Sequence, residues 1–340
     1  MDYFFLVSTV VFLALGCIGI YGELFLLLGI VNAVVALGYK IFRTSKLQIP
    51  PTLSLYALFL FVLLIHTYLT GGNMTFLWIL LSGGLVWLEI FNFKKIFSRY
   101  FTPILIILGI LMGGLYFYSL SFPTGPSGLV SLFSAPTGIM KHGDIGDLWA
   151  IILVDVFYLF SKKRQFFYLP LFVIGAYFLA ISYSRSALLA LAVGIFYVFQ
   201  KSGSREKLKN ILIIFLLCIT ALFIYAGLSK TVLFSRPYFW YAIAGIIKYP
   251  LGTGLGNFSV LNAGTNLVHD IILEMFSGMG IFSVFFIVWL YKVLKNIFTS
   301  RNINIEAAAV FLAILIDFSF ITTYTIPAFI WLWFMSLALI

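Results

Sequence analysis

Residues 51–99, PTLSLYALFLFVLLIHTYLTGGNMTFLWILLSGGLVWLEIFNFKKIFSR, carry the pattern that organises the whole chain. Two apolar runs, 51–69 and 75–93, are separated by a short polar turn and followed at once by Lys94, Lys95 and Arg99. Crossing the ~30 Å hydrocarbon core of a bilayer takes about 20 apolar residues in a helix. Each run is therefore the length of one span, and the pair reads as a helical hairpin with a basic end.

The same unit recurs on both sides of this stretch. Apolar segments at 3–22, 24–42, 51–69, 75–93, 101–122, 146–161, 166–183, 186–200, 210–229, 270–291, 305–322 and 326–340 give about twelve candidate spans. Basic clusters follow every second one: Lys40/Arg43/Lys46, Lys94/Lys95/Arg99, Lys162/Lys163/Arg164, Lys201/Arg205/Lys207/Lys209 and Lys292/Lys295/Arg301. These hold 16 of the 21 Lys and Arg residues. Cytoplasmic loops collect Lys and Arg, so the spacing predicts an all-α polytopic membrane protein with both termini cytoplasmic. The remaining Lys141, Arg185, Lys230, Arg236 and Lys248 then fall on the outer side.

Composition agrees. The chain is 63% hydrophobic and 9% charged, with a mean hydropathy of +1.12, whereas a soluble globule is about 25% charged. The net charge of +10 would suggest nucleic acid in a soluble protein. Here it is accounted for by loop residues that orient helices, and no nucleic-acid partner is expected. Met1-Asp2-Tyr3 lacks the basic start of a cleavable signal peptide, so the first segment is expected to stay as an anchor. Cys17 and Cys218 lie inside apolar segments and read as small packed side chains.

Residues 1–340 read as a single integral membrane domain without internal repeat, and the cytoplasmic loops are too short for a nucleotide-binding domain. Two outer loops have length: a first outer loop at 123–145, rich in Gly, Pro and Ser, and a main outer loop at 230–269. Function is expected to face outward.

Arg185, in Ser182-Tyr-Ser-Arg-Ser-Ala-Leu-Leu-Ala-Leu, lies about 15 residues up a helix from Gln200, roughly 22 Å at 1.5 Å per residue. An arginine at that depth costs about 2.5–3.5 kcal/mol unless paired or facing a polar cavity. Snorkelling to the outer headgroups is the plain reading, and anion binding the functional one. Arg236 precedes Pro237-Tyr-Phe-Trp-Tyr-Ala-Ile-Ala-Gly-Ile-Ile-Lys-Tyr-Pro250. Proline suits a first helical turn and cannot continue a helix, so a short helix at the outer interface is predicted between the two prolines. Leu251-Gly-Thr-Gly-Leu-Gly-Asn-Phe258 lacks the strand and glycine spacing of a nucleotide loop, and reads as a tight turn bringing backbone close to a bound headgroup.

His269 and Asp270 open the tenth span, and Glu274 shares a helix face with Asp270 at i,i+4. His269 is a candidate general base, because a reference pKa near 6.5 leaves the imidazole able to accept a proton at pH 7. His66 and His142 read as structural. Glu89 and Asp155 lie near cytoplasmic basic clusters, where charge pairing would explain them, and Asp317 could orient Arg185 or Arg236. No D-x-D or H-E-x-x-H spacing occurs, so no metal site is expected.

Three elements in order resemble the bacterial O-antigen polymerase and O-antigen ligase superfamily of polytopic membrane glycosyltransferases. They are Ser184-Arg185-Ser186-Ala-Leu-Leu-Ala-Leu, then Arg236 and Trp240 ahead of Pro250-Leu-Gly-Thr-Gly-Leu-Gly-Asn-Phe258, then His269-Asp270 before a span containing Gly278 and Gly280. The resemblance covers about 165–295. The chain departs from the group in having Asp270 where members often have Asn, and in being short.

The resemblance implies a GT-C-like enzyme of the bacterial inner (cytoplasmic) membrane with its active site on the outer, periplasmic or extracellular, face. Its substrate would be a polyprenyl-pyrophosphate-linked glycan, transferred to an acceptor glycan with inversion and without metal, nucleotide or other cofactor. Arg185 and Arg236 would hold the pyrophosphate, His269 would deprotonate the acceptor, and Lys248, Trp240, Tyr241, Asp270 and Glu274 would line the substrate site. A chain-length regulator is a further partner of the kind such polymerases take. The short chain favours a polymerase over a ligase that moves a finished glycan to a lipid core or other acceptor. The rival class is a transporter or lipid-linked sugar flippase, for which repeated halves and midplane polar sites are expected.

Overall fold

The computed structural model describes residues 1–18, 23–121, 142–163, 168–182, 184–201, 237–261, 268 and 270–340. Among these every regular element is helical. In chain order they are α1 (Asp2–Ile18), α2 (Glu23–Thr44), α3 (Leu53–Thr70), α4 (Met74–Asn92), α5 (Lys94–Ser121), α6 (His142–Lys163), α7 (Leu169–Ser182), α8 (Arg185–Lys201), α9 (Pro237–Lys248), α10 (Ile271–Met279), α11 (Val284–Thr299), α12 (Ile305–Phe318) and α13 (Pro327–Leu339). Short 3₁₀ turns lie at Phe258–Leu261, Gly280–Ser283 and Thr322–Thr325. The expected segment 210–229 and the loop 123–145 lie outside the described residues, apart from the last residues of that loop, which open α6.

Among the described residues, five stretches are long and apolar enough to cross a membrane: Leu26–Thr44, Leu53–Thr70, Met74–Asn92, Lys94–Phe117 and Ile271–Thr299. Helices Asp2–Cys17, Leu169–Ser182 and Pro327–Leu339 are apolar but shorter. At 1.5 Å per residue the 14-residue α7 rises about 20 Å, less than the ~30 Å core. The apolar periodicity thus located the helices more securely than it counted full spans.

The C-terminal helix is the axis of the bundle. A helix that is apolar all round belongs in a core, and every residue from Pro327 to Leu339 is buried. Helices α4 and α12 pack along it, and the Trp331 indole N–H donates to Ser82 Oγ on α4 at 2.8 Å. On the other flank α6 packs against α7, α8 and α12, and α8 against α12. Helix α3 leaves Phe61, Leu64, Tyr68 and Leu69 exposed, and α1 leaves Phe4 and Val7. Apolar surface of that extent marks a face that meets something other than water.

The two ends of the bundle differ. At one end Arg43 pairs with Asp2 at 3.1 Å, Lys40 lies over the Phe93 ring, and Tyr3 contacts Tyr100. Thr102 Oγ1 there donates to Glu306 Oε1 at 3.0 Å, and Lys201 reaches the Phe298 carbonyl at 3.1 Å. Lys40, Arg43 and Lys201 each make such a contact near the end of its helix. At the opposite end lie the α3–α4 turn, the glycine loop, the start of α8 and the 3₁₀ turn 322–325.

That end interrupts the tenth segment. Gly280 has φ +55°, and a Cβ there would collide with the Pro250 carbonyl and the Gly252 amide. Ile281 N–H donates to that same Pro250 carbonyl at 2.9 Å. The break between α10 and α11 is thus the seat on which the glycine loop docks.

Candidate functional site

The start of α8 is built on a buried carboxylate. Ser184 caps the helix, its Oγ accepting from Ala187 N–H at 3.3 Å, which satisfies one of the free amides of the first turn. The same hydroxyl donates to Asp147 Oδ1 on α6 at 2.6 Å. Ser186 Oγ stands 3.1 Å from that oxygen and 2.9 Å from Ser184 Oγ. Arg185 lies between these two buried serines at the first helical position and is itself half-exposed. A guanidinium at a helix N-terminus, where the macrodipole is positive, is a favourable place for an anion.

Asp147 does not stand alone. Its carboxyl faces that of Asp317 on α12, and Asp317 Oδ2 accepts from Thr323 Oγ1 at 2.5 Å. Both aspartates are fully buried. Asp147 Oδ2 and Asp317 Oδ1 receive no hydrogen bond from a donor among the described residues, and Asp144, one turn away on α6, lies within electrostatic reach of Asp317. Asp317, expected to orient Arg185 or Arg236, engages Asp147 and Thr323.

The next residue of the 3₁₀ turn continues the line. The Tyr324 hydroxyl lies close to the Glu274 carboxyl on α10. Glu274 is 1% exposed, with Oε1 accepting from Gly256 N–H at 3.0 Å and Oε2 from Val268 N–H at 2.9 Å. Asp270 caps α10, its Oδ1 accepting from Leu273 N–H at 2.8 Å. Serines 184 and 186, Asp147, Asp317 and Thr323 thus lead from the arginine turn of α8 to Tyr324, beside Glu274, which holds Val268. His269 itself, like Arg236, lies outside the described residues.

Glu274 and Asp270, expected to touch substrate, are found holding backbone. The glycine loop is likewise occupied with its own packing. Gly252 N–H donates to Tyr249 O, Thr253 N–H to Ser277 O and Gly254 N–H to Gly278 O, while Gly256 N–H goes to Glu274. Gly252, Gly254 and Gly256 all have positive φ, and a Cβ on Gly252 would strike the Gly278 carbonyl. These glycines permit two backbones to meet, and those amides are taken by protein acceptors. His66 supports the arrangement, its Nε2 2.7 Å from the Leu251 carbonyl, in keeping with a structural role.

Helix α9 forms between the two prolines as the spacing predicted. Ala242 is buried against Phe258 and Val268, so α9 packs beside Val268. Tyr241 and Lys248 are exposed on it, with Lys248 Nζ 5.3 Å from the centre of the Tyr249 ring. Trp240 lies on α9 with its side chain outside the described residues.

Two further carboxyls lie deeper. Glu89 accepts from Thr9 Oγ1 at 2.8 Å and has Asn32 Nδ2 at 3.5 Å. Asp155, two turns along α6 from Asp147, faces Glu306. Charge pairing with the basic clusters was the expectation for both. Among the described residues neither has a Lys or Arg partner, because hydroxyl and amide groups on neighbouring helices, or a second carboxyl, occupy those positions.

No family model matches the chain, and no curated protein or solved structure is significantly similar to it.

Proposed function

We propose that the chain is a membrane glycosyltransferase of the O-antigen polymerase type, which joins polyprenyl-pyrophosphate-linked repeat units into a surface polysaccharide. The observation that carries this reading is the set of buried polar groups that runs from the Arg185 turn through Asp147, Asp317 and Thr323 toward Glu274 and Val268, at the end of the bundle that holds the glycine loop. It would bring an anion-binding helix start and a candidate base to one side of a lipid-facing bundle. In this reading the termini are cytoplasmic, the exposed apolar faces meet lipid, and the site opens to the outside.

The donor pyrophosphate binds at the start of α8. Arg185 and Arg236 contact its oxygens with planar guanidinium forks. An acceptor hydroxyl attacks the anomeric carbon while its proton passes to the neutral imidazole of His269. The bond from that carbon to the pyrophosphate oxygen breaks, and the leaving group departs with the electron pair. Charge growing on it strengthens its contact with the arginines, so they stabilise the transition state more than the ground state. Tyr241, Trp240 and Lys248 on α9 are placed in this reading against the glycan.

His269→Ala tests the assignment. Acid–base catalysis supplies about 10²–10⁴-fold, so a variant that keeps more than a tenth of the wild-type transfer rate removes His269 from the mechanism. Anomeric configuration is expected to invert, and chelators to leave the rate unchanged.

One observation favours transport instead. Facing carboxyls occur twice along the α6–α12 seam, at Asp147/Asp317 and Asp155/Glu306, and buried acidic groups inside a membrane bundle often mark ion paths. A proton-dependent flux of lipid-linked sugar across vesicles, with no glycosidic bond formed, would support that reading.

A further inference from the structure

We infer that Glu274 is a positioning residue whose two carboxylate oxygens fix the backbone amides of Gly256 and Val268, the latter the residue before His269. This rests on the functional reading above, in which His269 is the base.

Three separate stretches meet at this side chain. Oε1 takes the Gly256 amide from the glycine loop, and Oε2 takes the Val268 amide, one residue before His269. Tyr324 approaches from the turn that links α12 to α13. Glu274 stands one turn into α10, whose first amides are capped by Asp270 on the other side of His269. His269 is therefore flanked by two anchored neighbours, and one of the anchors is Glu274. A carboxylate suits the task because both its oxygens accept. Glutamine in the same volume offers one acceptor and turns an NH₂ toward the other amide, leaving two donors face to face.

The burial of Glu274 argues against a substrate contact. At 1% exposure, and with both oxygens committed, it has little left to offer a sugar. The loss of a buried charge-assisted acceptor should instead appear as displacement of the turn. A displaced base lowers kcat while leaving donor binding at Arg185 in place, since a small misplacement of a catalytic group costs rate before it costs affinity.

The experiment compares full-length wild type with Glu274→Gln, Glu274→Asp and Tyr324→Phe in detergent or nanodiscs. Three readouts are taken: hydrogen exchange of peptides containing Gly256 and Val268, imidazole ¹⁵N signals, and steady-state transfer. The chain has three histidines, so the signals can be assigned with single substitutions. In Glu274→Gln exchange in at least one of the two peptides should rise tenfold or more, and the His269 signals should move while those of His142 do not. Its kcat should fall at least tenfold, with the donor KM within twofold of wild type. Glu274→Asp, which keeps two acceptor oxygens, should recover part of the loss. Tyr324→Phe, which keeps the volume and so the fold, should give the same changes at smaller size.

Unchanged exchange and unmoved His269 signals in both Glu274→Gln and Tyr324→Phe would overturn the inference, even if both melt lower. So would a raised donor KM with kcat intact, which is the signature of a substrate contact. If wild type itself transfers no sugar, the glycosyltransferase reading fails, and exchange with the ¹⁵N signals still decides whether Glu274 holds the turn.

Discussion

Gly280→Ala tests the architecture at the point where the candidate site meets the helices. Gly280 has φ +55° and ψ −132°, a positive-φ conformation outside the left-handed helical region that costs an L-residue about 1–2 kcal/mol. The added Cβ would also collide with the Pro250 carbonyl and the Gly252 amide, backbone atoms that cannot rotate away. Relief means lifting the loop, which breaks Ile281 N–H to Pro250 O and Gly254 N–H to Gly278 O. At about 1 kcal/mol for each net hydrogen bond, the total loss is about 3–4 kcal/mol. A chain of this size loses roughly 2 °C of melting temperature per kcal/mol, so the variant should melt about 6–8 °C below wild type in detergent. Gly38→Ala is the matched control: it lies in α2 with nothing within 4 Å of an added Cβ. It should be neutral or gain up to about 1 kcal/mol from helix propensity. If Gly280→Ala melts within 2 °C of wild type, the docking of the loop on the helix break is not as described.

The other predictions concern the arginines, the buried carboxylate and the bundle end. Arg185→Lys and Arg236→Lys should each lose most transfer activity with little change in melting temperature, because a point charge cannot reproduce a bidentate fork. Near-wild-type rates would remove the arginine concerned from the donor site. Asp147→Ala takes the acceptor from two buried serine hydroxyls and should cost about 1–3 kcal/mol, read as a lower melting temperature together with lost transfer. Asp2→Asn breaks an exposed ion pair with Arg43 and should change stability by less than about 1 kcal/mol, with activity unchanged.

The apolar runs and prolines made most of the helices legible. A helix spanning 237–248 follows from a proline that can start a helix and another that cannot continue one, and both are local facts. The break at Gly280 is not local. Within an apolar run a glycine reads as one more tolerated residue, and its meaning depends on Pro250 docking against it. The glycine loop shows the same limit from the other side. Its spacing announced a tight turn, but whether the amides were open to a ligand depended on Ser277, Gly278 and Glu274.

The serines flanking Arg185 stood in plain view, whereas Asp147 did not. It sits in an unremarkable charged start to a span, and its partner Asp317 is far along the chain. Glu89 and Asp155 escape the sequence for a related reason. Nearness in sequence to a basic cluster suggested ion pairs, but a helix projects each side chain toward whatever packs beside it, here Thr9 and Asn32 for Glu89 and Glu306 for Asp155.

The most direct test of the central claim is product size after incubating purified protein with polyprenyl-pyrophosphate-linked repeat units as the sole substrate. The account predicts a regular ladder of glycans differing by one repeat unit, lost in Arg185→Lys and His269→Ala. Transfer that begins only when a second acceptor is added would make the chain a ligase. No new glycosidic bond under either condition, with the native repeat unit supplied, would contradict the account.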